Sequence, residues 1–209
     1  MPALTLTGPA GPLEALLEEP AAAPRAAAVF AHPLPTHGGT MHTKVVYQAS
    51  KALGRIGCAA LRFNFRGVGL SAGTFDEGRG EQEDFAAALD YMAEHYPGIP
   101  LWAAGFSFGG WIALNVGAAD PRVALLLAVA PPLEGRGYDF SRVATSTKPK
   151  FFIQGERDEI ARLDAMYRFY AKLPEPKELV VIDAADHLFD GKTAEVGDAV
   201  EDLLGDYNV

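Results

Sequence analysis

The chain alternates short apolar runs with longer runs in which apolar residues recur every three or four positions. Runs of strand length occupy residues 26–31, 58–65, 101–105, 123–129, 150–154 and 178–182. Runs with helical spacing occupy residues 44–53, 83–96, 109–118, 160–173 and 193–204. Two further short runs, 4–7 and 13–18, have the spacing of a hairpin. This alternation predicts an α/β fold, with a mainly parallel, twisted sheet of about eight strands and helices on both faces.

Length and composition indicate one folded unit. A chain of 209 residues with 49% hydrophobic and 22% charged residues is typical of an ordered globular domain. No segment repeats another, and the longest irregular stretch, residues 131–149, has room for one short helix at most. We therefore expect a single domain over residues 1–209 without an inserted lid domain.

The charge balance excludes two classes of partner. Acidic residues outnumber basic ones by 27 to 18, which gives a formal net charge of −9 at pH 7. Such a surface repels nucleic-acid phosphates and anionic membranes, so we expect no nucleic acid and no membrane as a partner. The charge favours neutral or cationic small ligands, and it leaves both a monomer and a homodimer open.

The remaining features predict a cytoplasmic protein. The first residues lack the basic region and the continuous apolar stretch of a secretory signal. The longest apolar run, residues 123–130, is too short to span a bilayer. Cys58 is the only cysteine, so it can form no internal disulfide, and we interpret it as a small buried hydrophobe.

The pattern G-x-S-x-G occurs twice, at residues 69–73 and 105–109. In a nucleophile elbow this pattern joins a strand directly to a helix, which lifts the serine hydroxyl clear of the sheet. Ser107 meets this requirement, because it lies between an apolar run and a helical run. Ser71 is followed by a Gly-rich loop, residues 72–80, in which no helix can start promptly. We predict that Ser107 is the nucleophile and that Ser71 is a turn residue.

The turn around Ser71 also matches G-x-G-x-x-A, with Gly67, Gly69 and Ala72 after a predicted strand. That fingerprint binds a dinucleotide only when a helix opens within it and directs its N-terminus at the pyrophosphate. The next helical run begins well beyond the pattern, which disfavours an oxidoreductase. The chain also lacks G-x-x-x-x-G-K-[ST], so phosphate transfer has no support and we expect no cofactor.

A serine hydroxyl needs a neighbouring base before it acts as a nucleophile. In this type of elbow the chain order is serine, acid, histidine, and of the five histidines only His187 lies beyond Ser107. His187 follows a predicted strand, at the carboxyl edge where parallel sheets bind ligands. Asp158 follows another such strand and is the preferred orienting acid. The carboxylates that compete with it are Glu156, Asp183 and Asp186.

Three other histidines, His32, His37 and His42, lie near one another in the sequence. A zinc site of the H-E-x-x-H type would need a different spacing, and no carboxylate lies among them. We interpret them as loop residues with local hydrogen bonds and predict no metal site.

Several segments together resemble the α/β-hydrolase superfamily over essentially the whole chain. They are residues 31–35 and 38–41 after the third predicted strand, residues 64–71 after the fourth, the elbow at 105–109, Gly155 with Asp158, and residues 185–187. The chain looks most like the small, lidless bacterial serine hydrolases related to the dienelactone-hydrolase group. Its nucleophile is serine instead of the cysteine typical of dienelactone hydrolase, which argues against that enzyme's own substrate.

The resemblance implies a triad of Ser107, Asp158 and His187. We expect a serine hydrolase that cleaves a small acyl ester through an acyl-enzyme. A thioesterase or an amidase would use the same residues, and a non-catalytic binding protein on the same fold is the alternative from a different class. Without a lid only short loops shield the acyl group, so we expect short acyl chains to be preferred. The residues expected to bind the substrate are Met41, Leu133, Tyr138, Phe140 and Leu188.

The resemblance also implies an oxyanion hole with the Phe108 N–H as one donor and a second donor from the loop after the third strand. A glycine commonly follows the histidine of that loop, and Pro33 replaces it here. Because Pro33 and Pro35 have no N–H, Leu34 is the only backbone donor between them. The alternatives are a donor from Thr36 or no second donor.

Overall fold

A computed structural model describes residues 3–207 and contains one sheet of eight strands. The strands are β1 (Ala3–Gly8), β2 (Gly11–Glu18), β3 (Ala27–Ala31), β4 (Ala59–Phe63), β5 (Leu101–Phe106), β6 (Val123–Val129), β7 (Lys150–Gly155) and β8 (Lys177–Ile182). Their order across the sheet is β1-β2-β4-β3-β5-β6-β7-β8. The pairs β1–β2 and β2–β4 are antiparallel, and all later pairs are parallel. The predicted sheet and its N-terminal hairpin are confirmed.

Helices cover both faces of this sheet. They are α1 (Lys44–Arg55), α2 (Arg79–His95), α3 (Phe108–Ala119), α4 (Ser141–Thr145), α5 (Leu163–Tyr170) and α6 (Thr193–Leu204). Helices α2 and α3 bury Phe85 and Ile112 on one face, and α1 and α6 bury Leu53 and Val196 on the other. The strands between them are buried on both faces, which explains why their sequences are continuously apolar.

Cys58 lies in the core layer that α1 and α6 cover. Burial raises the pKa of its thiol to about 12, because the thiolate would lose its hydration. The thiol therefore remains protonated and packs as a small hydrophobe, as the sequence predicted.

Two helices begin at other positions than their apolar spacing predicts. Helix α2 begins at Arg79 instead of residue 83, because the Glu81 carboxylate accepts the N–H groups of Asp76 and Gly78 and so holds its first turn. Helix α5 begins at Leu163 instead of residue 160. Before α5 the Asp158 carboxylate likewise accepts the N–H groups of Ile160 and Ala161. Hydrophobic periodicity does not reveal such bonds between a carboxylate and the backbone.

The topology gathers six connections at one edge of the sheet. Strands β3 to β8 run parallel to one another, so the segments after their carboxyl ends meet there. The connection between β6 and β7 contains α4 as its regular element within the described chain. None of the helices in residues 3–207 combines the length and the apolar character that crossing a bilayer requires.

Candidate active site

Ser107 occupies a sharp turn between β5 and α3. Its φ is +53°, and its N–H donates to the carbonyl of Val129 at 2.8 Å. A Cβ on Gly105 would lie 2.2 Å from the Gly109 carbonyl oxygen, and a Cβ on Gly109 would lie 2.4 Å from the His32 carbonyl oxygen. Both contacts involve backbone, which cannot rotate away, so the elbow requires glycine on each side of the serine.

A hydrogen-bonded relay joins Ser107 to His187 and Asp158. The Ser107 Oγ lies 2.9 Å from His187 Nε2, and His187 Nδ1 lies 2.7 Å from Asp158 Oδ2. With the proton on Nδ1, the ring donates to Asp158 and can accept from the serine hydroxyl. The His187 ring also packs against Phe106, with 5.4 Å between ring centroids. This arrangement allows the imidazole to take the hydroxyl proton of Ser107.

Four donors surround the Asp158 carboxylate. The N–H groups of Ile160 and Ala161 donate to Oδ1 at 2.8 and 2.7 Å, and His187 donates to Oδ2. The fourth donor is the side-chain nitrogen of Gln154, which lies 3.2 Å from Oδ2. Ile160 and Ala161 lie in the irregular segment between β7 and α5. The carboxylate is thereby held in the position that the His187 ring needs.

Gln154 was not singled out from the sequence. It is fully buried at the end of β7, and its nitrogen also donates to the Ala161 carbonyl at 2.6 Å. Both neighbours of this nitrogen are acceptors, so the amide orientation is fixed. Within residues 3–207 the buried oxygen of Gln154 has no partner. A polar residue at the end of an otherwise apolar strand was the available signal.

Two of the competing carboxylates bind backbone N–H groups, and the third is exposed. The Glu156 carboxylate accepts the N–H of Ala184 at 2.8 Å, and that of Asp186 accepts the N–H of Asp190 at 3.0 Å. Asp183 is exposed. Of the four acids that the sequence offered, Asp158 is the one that contacts His187.

Ser71 has a different environment. Its hydroxyl donates to the Asn64 carbonyl at 2.6 Å and accepts the Glu14 N–H at 2.9 Å. Irregular backbone continues from there to Arg79, where α2 begins, so no helix N-terminus directly follows the Gly67–Ala72 pattern. The surroundings are those of a turn, as predicted, and they lack the geometry of a dinucleotide site.

The loop after β3 places Leu34 beside Ser107. Its carbonyl accepts the N–H groups of His37 and Gly39, both at 3.1 Å. In the described part of the chain the Leu34 N–H has no acceptor. The N–H of Phe108 belongs to the first turn of α3 and has no intrahelical acceptor. Leu34, Phe108 and Ser107 line the same cavity, so both donors are available to a bound ligand.

His32 supports this loop from inside the protein. Its Nδ1 lies 2.7 Å from the Pro33 carbonyl, and its Nε2 accepts the Phe65 N–H at 3.1 Å. Burial lowers the pKa of His32 to about 4, because the charged ring would be desolvated. His37 and His42 are exposed. No group of three or more potential metal ligands among His, Cys, Asp and Glu occurs in residues 3–207.

A cavity of about 260 Å³ opens beside the relay. Of the residues that the sequence suggests for substrate binding, Tyr138 and Leu188 line it. Ser107, His187, Leu34 and Phe108 also line it, and the remaining wall residues are Pro33, His37, Phe106, Pro132, Arg136 and Ile160. Pro132 and Ile160 follow β6 and β7 closely, so their position in the chain was a usable signal.

Three predicted substrate-binding residues lie outside this wall. Met41 is only 2% exposed, and its backbone is fixed by Asn64 and Arg62. Phe140 packs edge-on against Phe169, and Leu133 packs against the core. A loop position places a residue near the site, but side-chain direction decides whether it reaches the cavity.

Comparisons with known proteins agree with this architecture. The family model described as "Serine aminopeptidase, S33" matches residues 23–146. An uncharacterized protein of Rickettsia prowazekii is 37% identical over 98% of this chain and 89% of its own length. An α/β serine hydrolase homologue from Coxiella burnetii superposes with a TM-score of 0.91 and 36% identity, over 97% of each chain. A lidless α/β serine hydrolase from Xanthomonas campestris gives 0.88 and 39%, over 96% of this chain and 92% of that one.

Proposed function

The chain belongs to the serine aminopeptidase (S33) family of the α/β-hydrolase superfamily, and on that premise we propose that it cleaves small carboxylic esters through an acyl-enzyme on Ser107. The observation that carries this proposal is the continuous relay from Ser107 through His187 to Asp158 beside an apolar cavity. A binding protein would not need a serine hydroxyl within 2.9 Å of a carboxylate-oriented imidazole.

Acylation begins when His187 Nε2 accepts the Ser107 proton and Oγ attacks the ester carbonyl. The carbonyl oxygen becomes negative in the tetrahedral intermediate, where the N–H groups of Phe108 and Leu34 would donate to it. The C–O bond to the alcohol then breaks, and the imidazolium returns the proton to the departing oxygen. The products of this step are the free alcohol and an acyl group on Oγ.

Deacylation repeats the sequence with water. His187 takes a proton from the water, the hydroxide equivalent attacks the acyl carbonyl, and the bond to Ser107 Oγ breaks. Oγ recovers its proton from the imidazolium, and the carboxylic acid leaves. Asp158 keeps the ring proton on Nδ1 and stabilises the imidazolium in both halves, without itself taking a proton.

The cavity supports a preference for short acyl chains. Its volume of about 260 Å³ lies just below the range of roughly 300–1,000 Å³ that is usual for small-molecule sites. Ile160 and Leu188 lie at its rim with 52% and 62% of their surface exposed. A long acyl chain would extend past them into water and gain little further binding free energy.

Two measurements test the proposed function. A fluorophosphonate probe should label the parent protein and leave Ser107→Ala unlabelled, because only an activated serine reacts. The parent should then hydrolyse 4-nitrophenyl esters with the highest kcat/KM at short acyl chains. Matched acyl thioesters and aminoacyl 4-nitroanilides are assayed in parallel.

Each outcome assigns a function. Higher kcat/KM for thioesters or anilides than for esters would replace the ester proposal by a thioesterase or an amidase. A folded protein that is neither labelled nor active would indicate a binding protein on this fold. A kcat/KM that continued to rise through long-chain esters would contradict the short-chain preference.

A further inference from the structure

The cavity wall carries a charge opposite to that of the whole protein. Arg136, in the connection between β6 and α4, lines the cavity that contains Ser107. The chain has a formal net charge of −9, with 27 acidic residues. Within the described chain none of those carboxylates lines this cavity. The one permanently charged side chain in the cavity wall is therefore that of Arg136.

Arg136 is not neutralised by a neighbour. Most other arginines in the described chain are paired. Arg168, for example, binds Glu134, the acidic residue nearest to Arg136 in sequence, at 2.8 Å. Arg122 binds two carboxylates. Across residues 3–207, by contrast, Arg136 forms no hydrogen bond or ion pair. Its five N–H donors are available to a ligand in the cavity.

A second donor, the Tyr138 hydroxyl, belongs to a residue that lines the same cavity as Arg136. Tyr138 stacks on Trp111 with 4.0 Å between ring centroids and an interplanar angle of 7°. The Trp111 Nε1 donates to the Asp139 carbonyl at 3.0 Å, which anchors the same loop. Burial raises the pKa of Tyr138, so its hydroxyl keeps its proton. No partner of that hydroxyl occurs in the described residues, and Arg136 and Tyr138 together present donors without a matching acceptor.

We infer that the preferred ester substrates carry a carboxylate, and that Arg136, with Tyr138, binds it in the cavity beside Ser107. This inference rests on the proposed function of the Ser107 site. A guanidinium binds a carboxylate through two parallel N–H donors, which fixes orientation as well as affinity. The inference also revises the expectation of neutral or cationic ligands, since the net charge of the chain does not describe the wall of this cavity.

Matched ester pairs test the inference. In the leaving-group arm the pair is 4-acetoxybenzoate and its methyl ester, and in the acyl arm it is 4-nitrophenyl hydrogen adipate and 4-nitrophenyl methyl adipate. The readout is the ratio of kcat/KM for the charged ester to kcat/KM for its neutral match. Comparing this ratio between protein variants cancels the intrinsic reactivity of the two esters. The arm with the larger effect shows whether the carboxylate belongs to the acyl chain or to the alcohol.

The variants separate charge from side-chain bulk. Arg136→Met should lower the ratio by about 10- to 100-fold in at least one arm, as expected for loss of a hydrogen bond to a charged group. Arg136→Lys keeps the charge and should lower it less. Arg142→Met is the matched control, because Arg142 is exposed on α4 and lies outside the cavity wall. In the parent the ratio should also fall as NaCl is added, since the contact is partly exposed.

Failure of this inference can be told from failure of the proposed function. If neutral esters are hydrolysed but the ratio is the same in the parent and in Arg136→Met, the inference is overturned and the esterase proposal stands. If no ester is hydrolysed, binding of monomethyl adipate and dimethyl adipate to Ser107→Ala is measured by calorimetry. Tighter binding of the monoanion that is lost in the Ser107→Ala, Arg136→Met double variant supports the carboxylate site. Equal binding of the two compounds, or no binding, overturns it.

Discussion

The two G-x-S-x-G turns lie on either side of β3, since β4 leads to one and β5 to the other. At Ser71 two backbone groups, the Asn64 carbonyl and the Glu14 N–H, occupy the hydroxyl. At Ser107 the contact of the hydroxyl is the imidazole of His187. The same five-residue pattern thus closes a turn in one place and presents a free hydroxyl to a base in the other. What separates them is whether a helix follows at once and which strands end nearby.

The glycines of the two turns differ in the same way. A Cβ on Gly109 would collide with the backbone of β3 and of the residue after it. A Cβ on Gly69 would instead meet the ends of the Glu14 and Asn64 side chains, at 2.4 and 2.6 Å. The elbow therefore depends on the packing of main chains, whereas Gly69 packs against polar side chains from β2 and from the residue after β4.

The largest expected effect is the difference in activity between alanine variants of the two serines. Ser107→Ala should lower kcat by at least about 10⁴-fold, because it removes the nucleophile. Ser71→Ala should keep most of the activity and lower the free energy of unfolding by about 1 kcal/mol through its two lost hydrogen bonds. Ester turnover and urea unfolding of both purified variants measure this. Equal losses of activity in two folded proteins would end the distinction between the turns.

The next largest effect on kcat is expected at Asp158, the carboxylate that contacts His187. Asp158→Asn preserves the shape of the side chain but favours the wrong tautomer of His187, so kcat should fall on the order of 10⁴-fold. Asp183→Asn is the control, because Asp183 is an exposed carboxylate from the same loop as His187. A greater loss from Asp183→Asn than from Asp158→Asn would move the orienting role to Asp183.

A smaller effect is expected at Leu34, the proposed oxyanion donor in the loop after β3. Leu34→Pro deletes the N–H and should lower kcat by about 10² to 10³-fold, or roughly 3 to 4 kcal/mol. Leu34→Ala keeps the N–H and should change activity only modestly. Circular dichroism and probe labelling first establish that Leu34→Pro is folded. Turnover near the parent rate would then show that Leu34 is not the donor.

His32 links the two regions, since its ring bonds both Phe65, which leads to the Ser71 turn, and Pro33, which belongs to the loop after β3. Its folded-state pKa of about 4 lies below the ordinary value of 6.5, so the unfolded chain binds more protons between these values. The parent should therefore lose about 3 kcal/mol of stability as pH falls from about 6.5 to about 4. His32→Gln should lack this part of the slope. Urea unfolding between these pH values tests the difference, and parallel profiles would contradict it.

The smallest effect is expected at Gln154, which supports the acid on the Ser107 side. Gln154→Met keeps the volume but removes the donor to Asp158 Oδ2, so kcat should fall about tenfold with little change in KM. Steady-state kinetics with one aryl ester measures the two constants separately. A rise in KM at constant kcat would show that Gln154 shapes the cavity instead of positioning the acid.

Much of the fold could be predicted because buried parallel strands and amphipathic helices have distinct apolar periods. All eight strands and the long helices appear in the sequence pattern within a few residues. The starts of α2 and α5 could not be placed, because carboxylates of Glu81 and Asp158 bind the backbone there. Such bonds join a side chain to N–H groups whose conformation is not periodic.

The candidate site was predictable to a similar degree. Chain order and strand ends indicated Ser107, His187 and Asp158, and the structure brings these three side chains together. The cavity wall was harder, because the sequence assigns a residue to a loop but not the direction of its side chain. Met41 turns into the protein and Arg136 lines the cavity, although both lie in loops at the same edge of the sheet.

The sequence by itself determined the layers, the parallel sheet and the elbow, because these follow from local periodicity and from what glycine allows next to a strand and a helix. The tertiary structure decided which of four carboxylates contacts His187 and that Gln154 donates a hydrogen bond to that carboxylate. It also decided that a positive side chain lines the cavity of an acidic protein. These contacts join residues that are distant in sequence, and their energies depend on distance and burial, which only the folded chain defines.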